Sequence, residues 1–127
     1  FRLGKLNGVI EARRKNANLY RDLIRAEQVY TPPCKEYEQN PFVMFLIQCD
    51  DRDRLQAHLT DKGIQSLVYY GTPLHLHPAA KKYGFKRGDF PVAERQADRV
   101  LALPHHQHLT ENQIGYVADQ VNGFYGA

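Results

Sequence analysis

The chain has 127 residues, 43% of them hydrophobic and 24% charged, with a formal net charge of +3. That is the length of one domain with room for a core and the composition of an ordinary globular protein rather than a disordered or collagenous one. No apolar run is long enough to cross a bilayer, no charged-then-apolar leader opens the chain, and the mild positive charge does not demand nucleic acid. The densest basic stretch, Lys81, Lys82, Lys86 and Arg87, reads as a solvated loop.

The chain begins at Phe1 and its sole methionine is Met44, so the expectation is a domain excised from a longer protein. Cys34 and Cys49 are too few for a disulfide scaffold. Cys49 ends an apolar run and reads as a small core residue, and Cys34 follows two prolines in a loop. Nothing in this usage calls for an oxidising compartment, and the cytoplasm is expected.

Leu3 to Glu27 carries apolar residues at Leu3, Leu6, Ile10, Ala17, Tyr20 and Ile24, which fall on one helix face. Arg13 and Arg14 interrupt the stripe, so one of them should face a polar partner. Thr31-Pro32-Pro33 ends that unit, because proline cannot continue a helix. Phe42 to Cys49 reads as a buried strand. Asp50 and Asp51 are placed to cap a helix running to about Lys62, with Leu55 and Leu59 on one face, and Gly63 stops it. Ile64 to Tyr70, β-branched and aromatic, reads as a second strand. Gly71 to Phe90 reads as a long loop with one turn of helix, and a loop of that length inside a domain is usually functional. Pro91 opens a short helix to about Arg99. Val100 to Leu103 is a strand ended by Pro104. Thr110 and Gln113 form a capping box, and Ile114, Val117, Ala118, Val121 and Phe124 share one face of a last helix. Three short strands with helices packed on one side define an α+β two-layer domain with a mostly antiparallel sheet, a single domain over 1–127.

The histidines carry the most suggestive chemistry, in two clusters, His75-x-His77 and His105-His106-x-His108. Imidazoles in such numbers can bind zinc, but no His-Glu-x-x-His or Cys-x-x-Cys accompanies them, and no metal ligand is assigned. His105, His106 and His108 read as a solvent-exposed loop. Ser66 is the only serine and no nucleophilic triad or phosphate-cradling glycine loop is visible, so no catalytic residue is assigned to this chain. Tyr70-Gly71-Thr72-Pro73-Leu74-His75 is a loop shaped by Gly and Pro immediately after a strand, the kind of position that often carries binding residues.

Four stretches, in order and in register, carry a resemblance. They are Leu6-Asn7 through Arg13-Arg14 to Ala17 and Tyr20; Tyr70-Gly71-Thr72-Pro73-Leu74-His75-Leu76-His77-Pro78; Gly88-Asp89-Phe90-Pro91-Val92-Ala93-Glu94; and Leu101-Ala102-Leu103-Pro104 followed by Leu109-Thr110-Glu111. Together they resemble the C-terminal part of the DegT/DnrJ/EryC1/StrS family of sugar aminotransferases. Gly71 stands where many relatives have Pro, and Ala102 where many have Ser.

The resemblance implies the small domain of a fold-type I pyridoxal phosphate (PLP) enzyme. PLP would be held on a lysine of an N-terminal domain that this chain lacks, with no cofactor on this chain alone. The parent, a homodimer, would transfer an amino group from glutamate to a nucleotide-linked keto-sugar. This domain would close one side of the active site, with Tyr70, His75 and His77 facing the substrate, and would be inactive by itself. Two alternatives remain: a non-catalytic regulatory or ligand-binding module, and a histidine-rich metal-binding domain.

Overall fold

The computed structural model describes residues 3–35 and 37–127. A 3-10 turn, Leu3–Lys5, leads into helix α1, Leu6–Leu23. Only the later part of the expected stripe is covered: Ala17 and Tyr20 are fully buried, whereas Leu3 and Leu6 are exposed. Both arginines of the pair reach polar partners. Arg13 Nε donates to Gln107 Oε1 at 3.3 Å, and Arg14 Nε donates to the Asn40 carbonyl at 3.0 Å. Tyr20 stacks on Phe45, with ring centroids 5.0 Å apart, and its hydroxyl donates to the Pro104 carbonyl at 2.9 Å. Burial raises that phenol well above its ordinary pKa.

Helix α1 ends at Leu23 rather than continuing to Glu27, and the cause lies at the far end of the chain. The Asn122 carboxamide accepts from the backbone N–H groups of Arg25 (2.9 Å) and Ala26 (3.3 Å) and donates to the Leu23 carbonyl (2.8 Å). Those backbone groups are satisfied across the core instead of by another helical turn.

The sheet has three strands, β1 (Val29–Tyr30), β2 (Phe45–Cys49) and β3 (Val100–Leu103), in the order β1-β2-β3 and antiparallel throughout. The segment Ile64 to Tyr70 is not the third strand. Ile64 is tied to the preceding helix through its N–H to the Leu59 carbonyl, and Tyr70 has a φ of 59°. Only Leu67 between them pairs, in a single bridge to Ala102.

Helix α2, Arg52–Asp61, ends as expected with Gly63 in the left-handed region, φ 73°. Its start differs from expectation. Asp51 occupies the N-cap at φ 49°, makes no side-chain cap bond, and points its carboxylate to Arg54 instead. Helix α3 is Pro91–Arg99. Helix α4, Glu111–Tyr125, has the full capping box: Thr110 Oγ1 accepts from the Gln113 N–H, and Gln113 Oε1 accepts from the Thr110 N–H.

Phe45, Ile47 and Cys49 of β2 and Leu101 and Leu103 of β3 point into a core completed by Ala17, Leu55, Leu59, Ile114, Val117 and Val121. Helices α1, α2 and α4 cover this face. Leu46, Gln48, Val100 and Ala102 lie on the other, as alternation in a strand requires. There α3 comes in against β2, with Gln48 Nε2 3.5 Å from the Gln96 carbonyl, so the helices are not all on one side. Cys49 is buried, which pushes its thiol up to about 11, and both cysteines are free. No described helix is long and apolar enough to cross a membrane.

Candidate functional site

The loop after Leu67 starts with backbone strain. Tyr70 is an aromatic residue in the left-handed region and is 77% exposed. An L-residue there costs about 1–2 kcal/mol, and such strain concentrates at functional sites. The next position must be small, because a Cβ on Gly71 would come 2.8 Å from Val68 Cγ1. Pro73 is buried and anchors a 3-10 turn, Leu74–Leu76. Pro78 opens a second, Pro78–Tyr83, which ends at Gly84.

One carboxylate holds the whole loop. Glu94, in the first turn of α3, is 6% exposed. It accepts from the Gly88 N–H with both oxygens (2.8 and 3.0 Å) and from the Phe90 N–H at 3.3 Å. Its Oε1 lies 2.9 Å from His75 Nε2. Gly88 can present its N–H there because its φ is 99°, a conformation glycine adopts without cost. Burial pushes the Glu94 carboxyl upward, but the Gly88 N–H, the His75 imidazole and the Phe90 N–H outweigh it and hold it below the usual carboxylate range. An ionised Glu94 accepts only, so His75 donates from Nε2. The His75 ring also packs on Phe90, 4.7 Å between centroids, and Phe90 on Phe85, 5.1 Å apart.

Of the three residues expected to face substrate, two are brought together. Tyr70 and His77 line one groove of about 370 Å³ with Thr72, Leu74, Gln96 and Gln48. His75 is not among them: its side chain is 8% exposed and turned into the Glu94 hub. The groove offers a phenol, an imidazole, a hydroxyl and two carboxamides over an apolar floor of Ala97 and Val100, a donor and acceptor set suited to a hydroxylated ligand. Gln48 and Gln96 were missed in the sequence. The signal for Gln48 was there, since a lone carboxamide in the apolar run FVMFLIQC marks a strand with a second, wetter face.

The other histidine cluster splits. His106 and His108 are exposed as expected, but His105 is not a surface residue. Both its ring nitrogens are buried and have no hydrogen-bond partner among the described residues. The ring lies against Phe45 (6.0 Å) and Phe42 (6.3 Å). Burial first, then the charge of Arg13, holds its pKa down to about 4. The Phe42 backbone opposes that shift but falls short of hydrogen-bond geometry. Among the described residues no three His, Cys, Asp or Glu side chains converge as a metal cluster.

A small antiparallel sheet with three helices on one face, and α3 and a loop framing a groove with polar walls on the other, is the architecture of a domain found within sugar aminotransferases. The chain superposes on S. venezuelae DesV, solved in complex with a ketimine intermediate, with a TM-score of 0.93 at 29% identity, covering 99% of this chain and 34% of that one. The chain belongs to the DegT/DnrJ/EryC1/StrS aminotransferase family, whose pattern it matches over residues 1–122.

It is 38% identical over 118 residues to a pleiotropic regulatory protein of Geobacillus stearothermophilus, covering 91% of this chain and 32% of that protein. It is 38% identical over 78 residues to dTDP-3-amino-3,4,6-trideoxy-alpha-D-glucose transaminase of Streptomyces venezuelae, covering 61% of this chain and 21% of that enzyme. The chain thus spans a third or less of the length of these relatives.

Proposed function

We propose that residues 1–127 are the C-terminal small domain of a PLP-dependent aminotransferase that moves an amino group from glutamate to a nucleotide-linked keto-sugar, and that the Tyr70–His77 groove forms part of its sugar site. The observation that carries this reading is the strained, exposed Tyr70 on the same groove wall as His77, opposite Gln96 of α3. Tyr70 and His77 donate hydrogen bonds to sugar or diphosphate oxygens, and His75, bound to Glu94, holds the wall they stand on.

The cofactor's covalent anchor does not fit this chain. A lysine that forms a Schiff base must lose its proton, which takes a desolvated or strongly cationic setting, and all seven lysines here are solvent-exposed. PLP, the electron sink of the reaction when bound, belongs in this reading to an N-terminal domain of the same cytoplasmic, homodimeric protein. This chain then binds and orients the sugar, and it is inactive alone. Borohydride reduction of the full-length protein, followed by peptide mapping, is expected to find the pyridoxyl group on a lysine outside residues 1–127.

A second reading, a regulatory module, draws on the name of the Geobacillus relative. Kinetics separate the two. In the full-length protein, Tyr70→Ala and His77→Ala are each expected to lower kcat/KM for amino transfer with the nucleotide sugar about ten-fold or more, with the glutamate half-reaction little changed. A full-length protein with no trappable lysine and no turnover of glutamate is a regulatory module, not an enzyme.

A further inference from the structure

The groove has two walls from different parts of the chain, and one carboxylate spans them. The first wall is the Tyr70–His77 loop; the second is α3, with Ala93 and Gln96. Glu94 sits on α3 next to Ala93. Through His75 Nε2 it takes hold of the loop two residues before His77, and through the Gly88 and Phe90 N–H groups it closes the return of the same loop onto α3. Both partners of the His75–Glu94 contact have side chains only 8% exposed. The contact therefore sits behind the groove rather than in it, and a fixed hydrogen bond there carries over to where His77 and Tyr70 stand.

We propose that Glu94 is a positioning residue for the sugar groove: its carboxylate locks the His75 loop and the Gly88–Phe90 turn to α3, and so fixes the His77 and Tyr70 wall at a set distance from the Gln96 wall. Glu94 touches no substrate; it acts through His75. This rests on the functional reading above. No other described acid takes over its place: Asp89, nearby, is engaged with the Lys86 N–H at 2.9 Å. The glutamine isostere keeps the shape but turns one acceptor oxygen into a donor. Its carbonyl can take the Oε1 place and keep His75, Gly88 and Phe90, but its NH2 group then stands 3.0 Å from the Gly88 N–H, donor against donor, and the charge that strengthens all three bonds is gone. A displacement of about 1 Å in binding groups is enough to cost two orders of magnitude in rate, so a partial loosening is expected to cost about one.

The test uses the full-length holoenzyme, with dTDP-3-amino-3,4,6-trideoxy-alpha-D-glucose as the sugar probe in the reverse direction. Three quantities are read in the wild type, Glu94→Gln and His75→Gln: the calorimetric Kd and the KM for the probe, the KM for glutamate, and Tm. Glu94→Gln is expected to raise the probe's Kd and KM about ten-fold, to change kcat less, and to leave the glutamate KM within about two-fold. His75→Gln is expected to give a similar split, and the double variant no more than the larger single effect, because both act through one contact.

Glu94→Asp, which keeps the charge but shortens the reach, serves where the glutamine variant fails to fold. The expected result is the same rise in Kd. A lower Tm with the probe's Kd unchanged overturns the proposal and leaves Glu94 a stability residue. A wild type that binds no probe and turns over no glutamate overturns the functional reading itself, and the inference with it.

Discussion

Replacing Val117 with aspartate is expected to lower the unfolding free energy by about 3–5 kcal/mol, since it strands a carboxylate in an apolar core. Val117 is 5% exposed and lies on α4 between the fully buried Ile114 and Val121. Helix α4 packs against both α1 and α2, and its apolar face helps seal the sheet. Aspartate at this point has three routes: to stay charged and unpaired, to take up a proton at the cost of a raised pKa, or to push the helix outward. Each costs stability where α4 packs on α1 and α2. A domain of this size has about 5–15 kcal/mol in all, so the variant loses a large share of it. The exposed Asp119, two residues on, gives the control: Asp119→Lys is expected to stay within about 0.5 kcal/mol. Denaturant unfolding of the two variants measures the difference. A Val117→Asp change no larger than the control's would place this face in solvent and refute the packing of α4.

The second large effect is a pH dependence that one substitution removes. His105 has its pKa lowered in the folded state to about 4, from 6.5. Between those values the unfolded chain binds a proton that the folded chain does not. By linkage, stability therefore rises with pH across that window: it is whole above about pH 6.5 and is lost progressively as the pH falls toward about 4. A shift of this size is on the order of 3 kcal/mol in full. His105→Phe keeps a ring against Phe42 and Phe45 and removes both unpaired nitrogens. The variant is expected to match the wild type within about 1 kcal/mol near pH 7.5 and to exceed it by about 2 kcal/mol near pH 5. Taking the difference between the two proteins at each pH removes the parallel contribution of Glu94. Its lowered pKa also makes stability fall on acidification, but equally in both proteins. Equal differences at the two pH values would mean that His105 titrates freely, and that its ring is not buried as described.

Much of the scaffold was legible from periodicity and punctuation. Helix α4 was fixed by its apolar spacing and capping box, α3 by Pro91, β3 by the stop at Pro104 and the end of α2 by Gly63. These signals act over a few residues. What escaped depends on distant partners. The strand Val29–Tyr30 is two residues long and exists only because β2 lies beside it, so no run of β-formers announced it. Ile64 to Tyr70 had that run and still formed one bridge, because its two ends are claimed by a helix end and a strained turn.

The site divides along the same line. Tyr70 and His77 were legible as a loop shaped by glycine and proline. The inward turn of His75 was not, since it is set by a carboxylate nineteen residues on. Glu94 itself looked like a helix-dipole residue at the start of α3, and its grip on the loop depends on how Gly88 bends. His105 looked like its exposed neighbours because sequence shows an imidazole's polarity but not the two phenylalanine rings against it.

The Asn122 carboxamide joins positions 96 to 99 residues apart, and this makes the finished end of the first helix depend on the last one. The backbone groups that end α1 find their partner only after almost the whole chain has been laid down and α4 has docked. Closing so long a loop carries a large entropic cost before its contacts form, and non-local contacts of this kind slow folding. As the chain emerges during synthesis, α1 therefore has an open end until the last helix arrives. A chain that stops short of Asn122 leaves the first helix without its terminator, however much of the sheet has formed.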